Sequence, residues 1–161
     1  GPMGAGKSAV GRALATAIGY DFADTDSEVE ANAGVDITFI FEKEGEDGFR
    51  LREHRALAGM CARERVVIAT GGGCVVTPAN RDLLEQHGTV VYLAASIEQL
   101  YERVRCSSHR PLIHTDDPLG ALTDIVQRRQ PLYEAVADLT VDTEGQKVQT
   151  VARDIARQLR L

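Results

Sequence analysis

Tryptophan is absent from this 161-residue chain, and aromatic residues make up only 5% of it. The length still suffices to bury a sizeable core. Lysine is scarce too: Lys7, Lys43 and Lys147 are the whole set, and the remaining basic residues are arginines. The net charge is −6 with no basic tail, which argues against a general nucleic-acid binder. Cysteine occurs at Cys61, Cys74 and Cys106 only, an odd number without metal-type spacing. That usage suits a reducing compartment and excludes a disulfide scaffold. No run is long and apolar enough to span a membrane, and no signal segment is expected. Repeats, low-complexity tracts and linkers are also missing. The expectation is one soluble cytoplasmic domain over residues 1–161, without nucleic-acid or membrane partners and monomeric. A hydrophobic share of 43% and a charged share of 26% agree with that class.

What the chain does have stands at its start. Gly1-Pro2-Met3-Gly4-Ala5-Gly6-Lys7-Ser8 reads G-x-x-x-x-G-K-S, the phosphate-cradling loop of nucleoside-triphosphate enzymes. Its glycines let successive backbone N–H groups point into one concavity. Lys7 brings a compact positive charge to the β- and γ-phosphates, and Ser8 a hydroxyl for Mg²⁺. The helix that follows aims its positive end at the same anion.

Hydrophobic spacing predicts a helix over 8–18, closed by Gly19, then a short buried strand over 20–23. Asp26 or Ser27 is expected to cap a helix to Ala33, stopped by Gly34. Asp36 caps a short helix over 37–43, and an amphipathic helix over 46–63 follows, with Phe49, Leu51, Leu57, Met60 and Cys61 as inner candidates. Strands are expected at 66–69, 90–93 and 139–141. Thr77-Pro78 and Ser96 open helices to His87 and to about Arg105. Residues 106–118 read as an irregular segment able to move. A helix over 119–129 is expected to break at Pro131, with a separate short turn over 133–136 and a closing helix over 147–161. Strands alternating with helices imply α/β architecture, a parallel sheet covered on both faces.

Several groups carry chemistry. Asp24 and Asp26 flank one residue at a strand end. In an extended segment both face the same side, so one can hold the metal's water shell and the other an acceptor hydroxyl. A turn with a helix cap is the plainer reading. Gly71-Gly72-Gly73, after a buried strand, lets a ligand approach backbone N–H groups, or is simply a flexible turn. Arg50 sits among Glu46, Asp47 and Glu53, Arg110 in the irregular segment, and Arg129 before Pro131; each is unremarkable alone. His109 and His114 read as solvated rather than metal-ligating. Cys74 reads as a small buried residue, not a nucleophile.

Together these residues resemble the shikimate kinase family over essentially the whole chain. The resemblance rests on the phosphate loop, Asp24-Thr25-Asp26, Gly45-Glu46-Asp47-Gly48-Phe49-Arg50 with Glu53, and Thr70-Gly71-Gly72-Gly73. Arg110-Pro111-Leu112 and Arg129-Gln130-Pro131-Leu132-Tyr133 follow in the family's order. It implies a three-layer α/β/α fold of P-loop kinase type, with five strands in the family. It also implies MgATP-dependent transfer of the γ-phosphate to the 3-hydroxyl of shikimate, in aromatic amino-acid biosynthesis. ATP would lie on Gly4, Ala5, Gly6, Lys7, Ser8 and Ala9, with Arg105 on the adenine, Asp142 to Gly145 bordering it, and Gln146 in the same set. Ser8 would hold Mg²⁺, and Asp24 would order its water. Asp26 would bind the substrate hydroxyls and act as base. Arg50 and Arg129 would clamp the carboxylate, Gly72 and Gly73 would present backbone to the ring, and Arg110 would close on the phosphates from a lid over about 106–118. The helical region over about 25–63 would bind the acceptor.

The family places a hydrophobic strand, central in the sheet, before the phosphate loop; that first strand is absent from this sequence, which holds four. A chain lacking it is expected to be less stable than one carrying it. Rival readings are a kinase for another polyhydroxy acid such as gluconate, a nucleotide-binding regulatory module without turnover, and a simple ATPase. Charging of His109 or His114 would shift ATP affinity between about pH 6 and 7.

Overall fold

The computed structural model describes residues 1–105 and 116–161. Helix α1 (Lys7–Ile18) opens at Gly6 and closes at Gly19, both left-handed. Strand β1 (Asp21–Asp24) leads directly into α2 (Thr25–Ala33). The cap of α2 is Asp24, not Asp26 or Ser27: its carboxylate accepts from the backbone N–H of Asp26 and Ser27. The strand ends one residue later than the pattern indicated, so Asp26 already lies in a helical turn.

Helix α3 (Ile37–Cys61) is one segment bent at Gly45, whose φ of 70° and ψ of −173° leave the helical region. The bend divides it as the sequence divides it, a short helix capped by Asp36 and a longer one. Leu51 points outward at 51% exposure, while Phe49, Leu57 and Met60 are buried. Strand β2 (Val66–Ala69) precedes the glycine loop, a short 3₁₀ turn (Cys74–Val76) and α4 (Pro78–His87). Then come β3 (Val91–Ala94), α5 (Ile97–Val104), α6 (Pro118–Val136), β4 (Leu139–Asp142) and α7 (Val148–Leu159).

Pro131 does not break α6, contrary to the sequence pattern. A proline removes one helix hydrogen bond and crowds the preceding turn. Here Leu122 and Val126 before it and Tyr133 and Val136 after it are all buried at helical spacing. Packing on both sides of the proline keeps one helix.

The strands form two parallel pairs. β1 lies on β2 with Asp21 opposite Val66, and β3 on β4 with Val91 opposite Leu139. Adjacent residues point to opposite faces, which sets three layers. Leu93 enters the core with α1, α5 and α7, whereas Tyr92 turns toward Tyr133 and Val136 of α6. Ala23 and Ile68 pack on α3, while Phe22 faces α1, its ring under the Arg12 guanidinium.

No strand among the described residues joins β2 to β3. Between them lies an apolar slot of about 720 Å³, lined by both strands, Val10 and Leu14 of α1, and Tyr133 and Val136 of α6. Gly1 abuts the Leu93 backbone at the C-terminal end of β3. The slot has the place of a central strand leading into the phosphate loop.

Candidate active site

The phosphate loop depends on its glycines. Gly4 has φ +82° and Gly6 φ +90°, which side chains rarely adopt. A methyl on Gly4 would also lie 2.9 Å from Val104 Cγ1. Lys7 folds back across the loop, donating to the carbonyls of Gly1 at 2.8 Å and Pro2 at 2.7 Å. Ser8 donates its hydroxyl to Asp24 Oδ2 at 2.6 Å. The other Asp24 oxygen caps α2, so this side chain serves both the cap and the phosphate side.

Asp26 goes the other way. It lines a second cleft, of about 280 Å³, together with Arg50, Glu53, Gly72, Gly73 and Arg129; Met3 of the phosphate loop is part of the same wall. The expectation that Asp24 and Asp26 face one side from an extended strand does not hold. The turn into α2 sends one to Ser8 and the other to the arginine cleft, and the two sites meet at that turn.

Arg50 is not a surface ion-pair residue, because its side chain is only 12% exposed. Its Nη1 bonds to Glu53 Oε2 at 2.8 Å, and its Nε and Nη2 bond to Glu46 Oε1 at 3.2 and 2.9 Å. Burial works against its charge, but Glu53 and Glu46 outweigh it and hold its pKa above the ordinary value. Glu53 is fully buried. Burial pushes its carboxyl pKa up, with Asp26 adding to that and Arg50 and Arg129 opposing. Its Oε1 has no hydrogen-bond partner among the described residues. A methyl built on Gly71 would meet that oxygen at 2.7 Å and Asp26 Oδ1 at 2.8 Å, so both carboxylates press on one glycine. Arg129 sits mid-helix in α6, not at a helix end, and its charge reaches both Glu53 and Tyr133.

The glycine loop is not a flexible turn. Gly71 N–H donates to the buried Thr25 hydroxyl at 2.8 Å, and Gly72 C=O accepts from Tyr133 Oη at 2.6 Å. Cys74 C=O accepts from Asn80 Nδ2 at 3.0 Å, and Val75 C=O from Arg81 at 2.7 Å. The N–H groups of Gly72 and Gly73 have no acceptor among the described residues and belong to the cleft wall. Burial pushes the Tyr133 phenol up to about 12, against the pull of Arg129, so it stays a neutral donor. Burial likewise raises the Cys74 thiol, which agrees with an inert, packed cysteine.

Two expected ATP residues stand apart from both sites in their contacts. Arg105 is exposed and pairs with Glu102 at 3.0 Å. Gln146 donates to the Asp142 carbonyl at 2.7 Å. Among the described residues, Arg103 is the arginine that touches the phosphate loop, bonded to Gly4 C=O at 3.0 Å. Sequence reading passed over it, although buried Leu100 and Val104 on the same helix mark that edge as facing the loop. Thr25, Asn80 and Tyr133 were also given no role; a polar residue fully buried beside a glycine run is visible only after folding. Arg110, His109 and His114, and most of the expected lid, lie outside the described residues.

A phosphate-cradling loop at a helix start, a hydroxyl–carboxylate pair beside it, and an adjoining cleft with two arginines and an aspartate define a P-loop phosphotransferase for a small anionic acceptor. Comparison with known proteins narrows this. Residues 3–160 match the shikimate kinase family. A shikimate kinase of Halorhodospira halophila is 49% identical over 159 residues, covering 99% of this chain and 90% of that protein. One from Hahella chejuensis is 46% identical over 160 residues, covering 99% and 83%. The solved structure of shikimate kinase from Acinetobacter baumannii in complex with shikimate superposes with a TM-score of 0.97 at 42% identity, covering 99% of this chain and 89% of that one. The chain belongs to the shikimate kinase family, and it is a kinase.

Proposed function

We propose that this protein transfers the γ-phosphoryl group of ATP to the 3-hydroxyl of shikimate, and that the residues of the two sites divide the work as follows. The observation that carries the reading is the divergence of Asp24 and Asp26. One reaches the phosphate loop and the other the arginine cleft, which sets an acceptor hydroxyl beside a terminal phosphate. Arg50 and Arg129 take the acceptor's carboxylate, since two planar forks fix a ring's orientation better than one. The free N–H groups of Gly72 and Gly73 face the ring. Asp26 orients the 3-hydroxyl and accepts its proton as the new O–P bond forms and the bond to the ADP oxygen breaks. Lys7 moves from the loop carbonyls to the phosphates and balances their charge.

The Ser8–Asp24 pair fits Mg²⁺, because both are hard oxygen donors beside the phosphate loop. Bound there, the ion would neutralise charge between the phosphates. Arg105 and Gln146 on the nucleotide, and Arg110 on its phosphates from a lid, complete the assignment by family resemblance. A single cytoplasmic, monomeric domain is part of the same proposal; no described helix is long and apolar enough to cross a membrane.

ADP release with MgATP, with and without shikimate, tests the reading. Shikimate should stimulate strongly and gluconate should not. Asp26→Asn should lose about 10²–10⁴-fold in turnover while keeping its affinity for ATP. Equal stimulation by gluconate would refute the acceptor, and turnover by Asp26→Asn at the parent rate would remove the assigned base.

A further inference from the structure

We infer that Asn80 is a positioning residue for the acceptor, acting through the glycine loop; this rests on the cleft being the shikimate site. Asn80 is fully buried on α4 and lines neither the cleft nor the phosphate loop. Its orientation follows from its partners. The Cys74 carbonyl can only accept, so Nδ2 faces it, at 3.0 Å. Oδ1 then faces His54 Nδ1 at 2.7 Å, and that nitrogen must carry the proton. His54, one residue after Glu53 and four after Arg50 on α3, thereby ties α4 to the element that holds Arg50.

The loop is pinned from three elements: Thr25 of α2 at Gly71, Tyr133 of α6 at Gly72, and Asn80 of α4 at Cys74. Internal bonds from Cys74 N to Gly71 O and from Val76 N to Gly73 O make the turn move as a unit. Loss of the Asn80 anchor therefore rotates Gly72 and Gly73 as well. The loop has little room to do so harmlessly, since a methyl on Gly73 would lie 2.6 Å from Arg50 Nη1. Displacement of the turn disturbs the N–H groups and the carboxylate fork together. Among the described residues no hydrogen bond joins Asn80 to Lys7, Ser8 or Asp24; the glycine loop borders the phosphate loop only at its first residues, where Gly72 lies against Met3 N.

The test is Asn80→Asp, which keeps the size of the side chain but sets an acceptor against the Cys74 carbonyl. A buried carbonyl that loses its donor costs roughly ten-fold. We expect the KM for shikimate to rise about ten-fold with the KM for ATP changed less than about two-fold. Thr25→Val keeps the size of the side chain and removes the hydroxyl that accepts from the Gly71 N–H, so it should show the same split; it carries the test if Asn80→Asp does not fold. A purely structural role would lower kcat through the fraction of folded enzyme and leave both KM values alone; that result, or equal rises in both, overturns the inference. Arg50→Ala is the control. If it raises the KM for shikimate and both loop variants do not, the inference falls alone; if it has no effect either, the cleft is not the acceptor site.

Discussion

Joining an apolar strand of about five residues to Gly1 should stabilise this chain markedly. At about 3.3 Å per residue such a segment spans four-residue strands, and the slot beside Gly1 is bounded by the inner edges of β2 and β3. Pairing along both edges makes about eight backbone hydrogen bonds, each worth about 1 kcal/mol net. Burying about four Val- or Leu-sized side chains in 720 Å³ contributes about 2 kcal/mol each. Ordering five residues costs about 2 kcal/mol apiece for backbone and side chain. The difference is about 6 kcal/mol, or about 12–24 °C in Tm for a chain of this size. Thermal unfolding followed by circular dichroism is the assay. A control with proline at the centre of the added segment should lose most of the gain, because it cannot complete both ladders. An unchanged Tm, or an equal rise with the proline control, would refute the strand reading of the slot.

Two further predictions concern the arginine cleft. Glu46 occupies the Nε–Nη2 edge of Arg50 with a carboxylate of its own, half exposed, and so competes with an acceptor carboxylate. With only the Glu46 side of the pair half exposed, the pair is worth about 0.5–1 kcal/mol, so Glu46→Gln should lower the KM for shikimate about two- to five-fold; a higher KM in steady-state assays would mean that Glu46 aims Arg50 instead. Glu53 has its folded pKa raised, first by burial. Its contribution to stability is therefore present below the ordinary glutamate value and lost as pH rises through the raised one. Glu53→Gln should flatten that limb of the Tm-against-pH curve, and an unchanged slope would show that another group titrates there.

The resemblance to the family was readable because its marks are short and local: the phosphate loop, the aspartate pair, the three glycines. The same locality explains the misreadings. Pro131 carries a local penalty that buried neighbours on both sides of α6 override. Asp24 and Asp26 are alike by composition and separate only because α2 starts at Thr25. Arg103 was passed over because only the packing of α5 on Gly4 carries it to the loop.

By itself the sequence determined the phosphate loop, the order of strands and helices, most helix ends and the chemical types gathered for the acceptor. Each depends on residues within a turn or two of one another. The tertiary structure alone decided which side chains meet. Thr25 reaches Gly71 across 46 positions, Tyr133 reaches Gly72 across 61, and Arg103 reaches Gly4 across 99. Such contacts leave no periodic trace, because they arise from how buried faces stack. The slot between β2 and β3 belongs to the same category: strand propensity is local, but the partner of a strand edge is set by what the fold brings beside it.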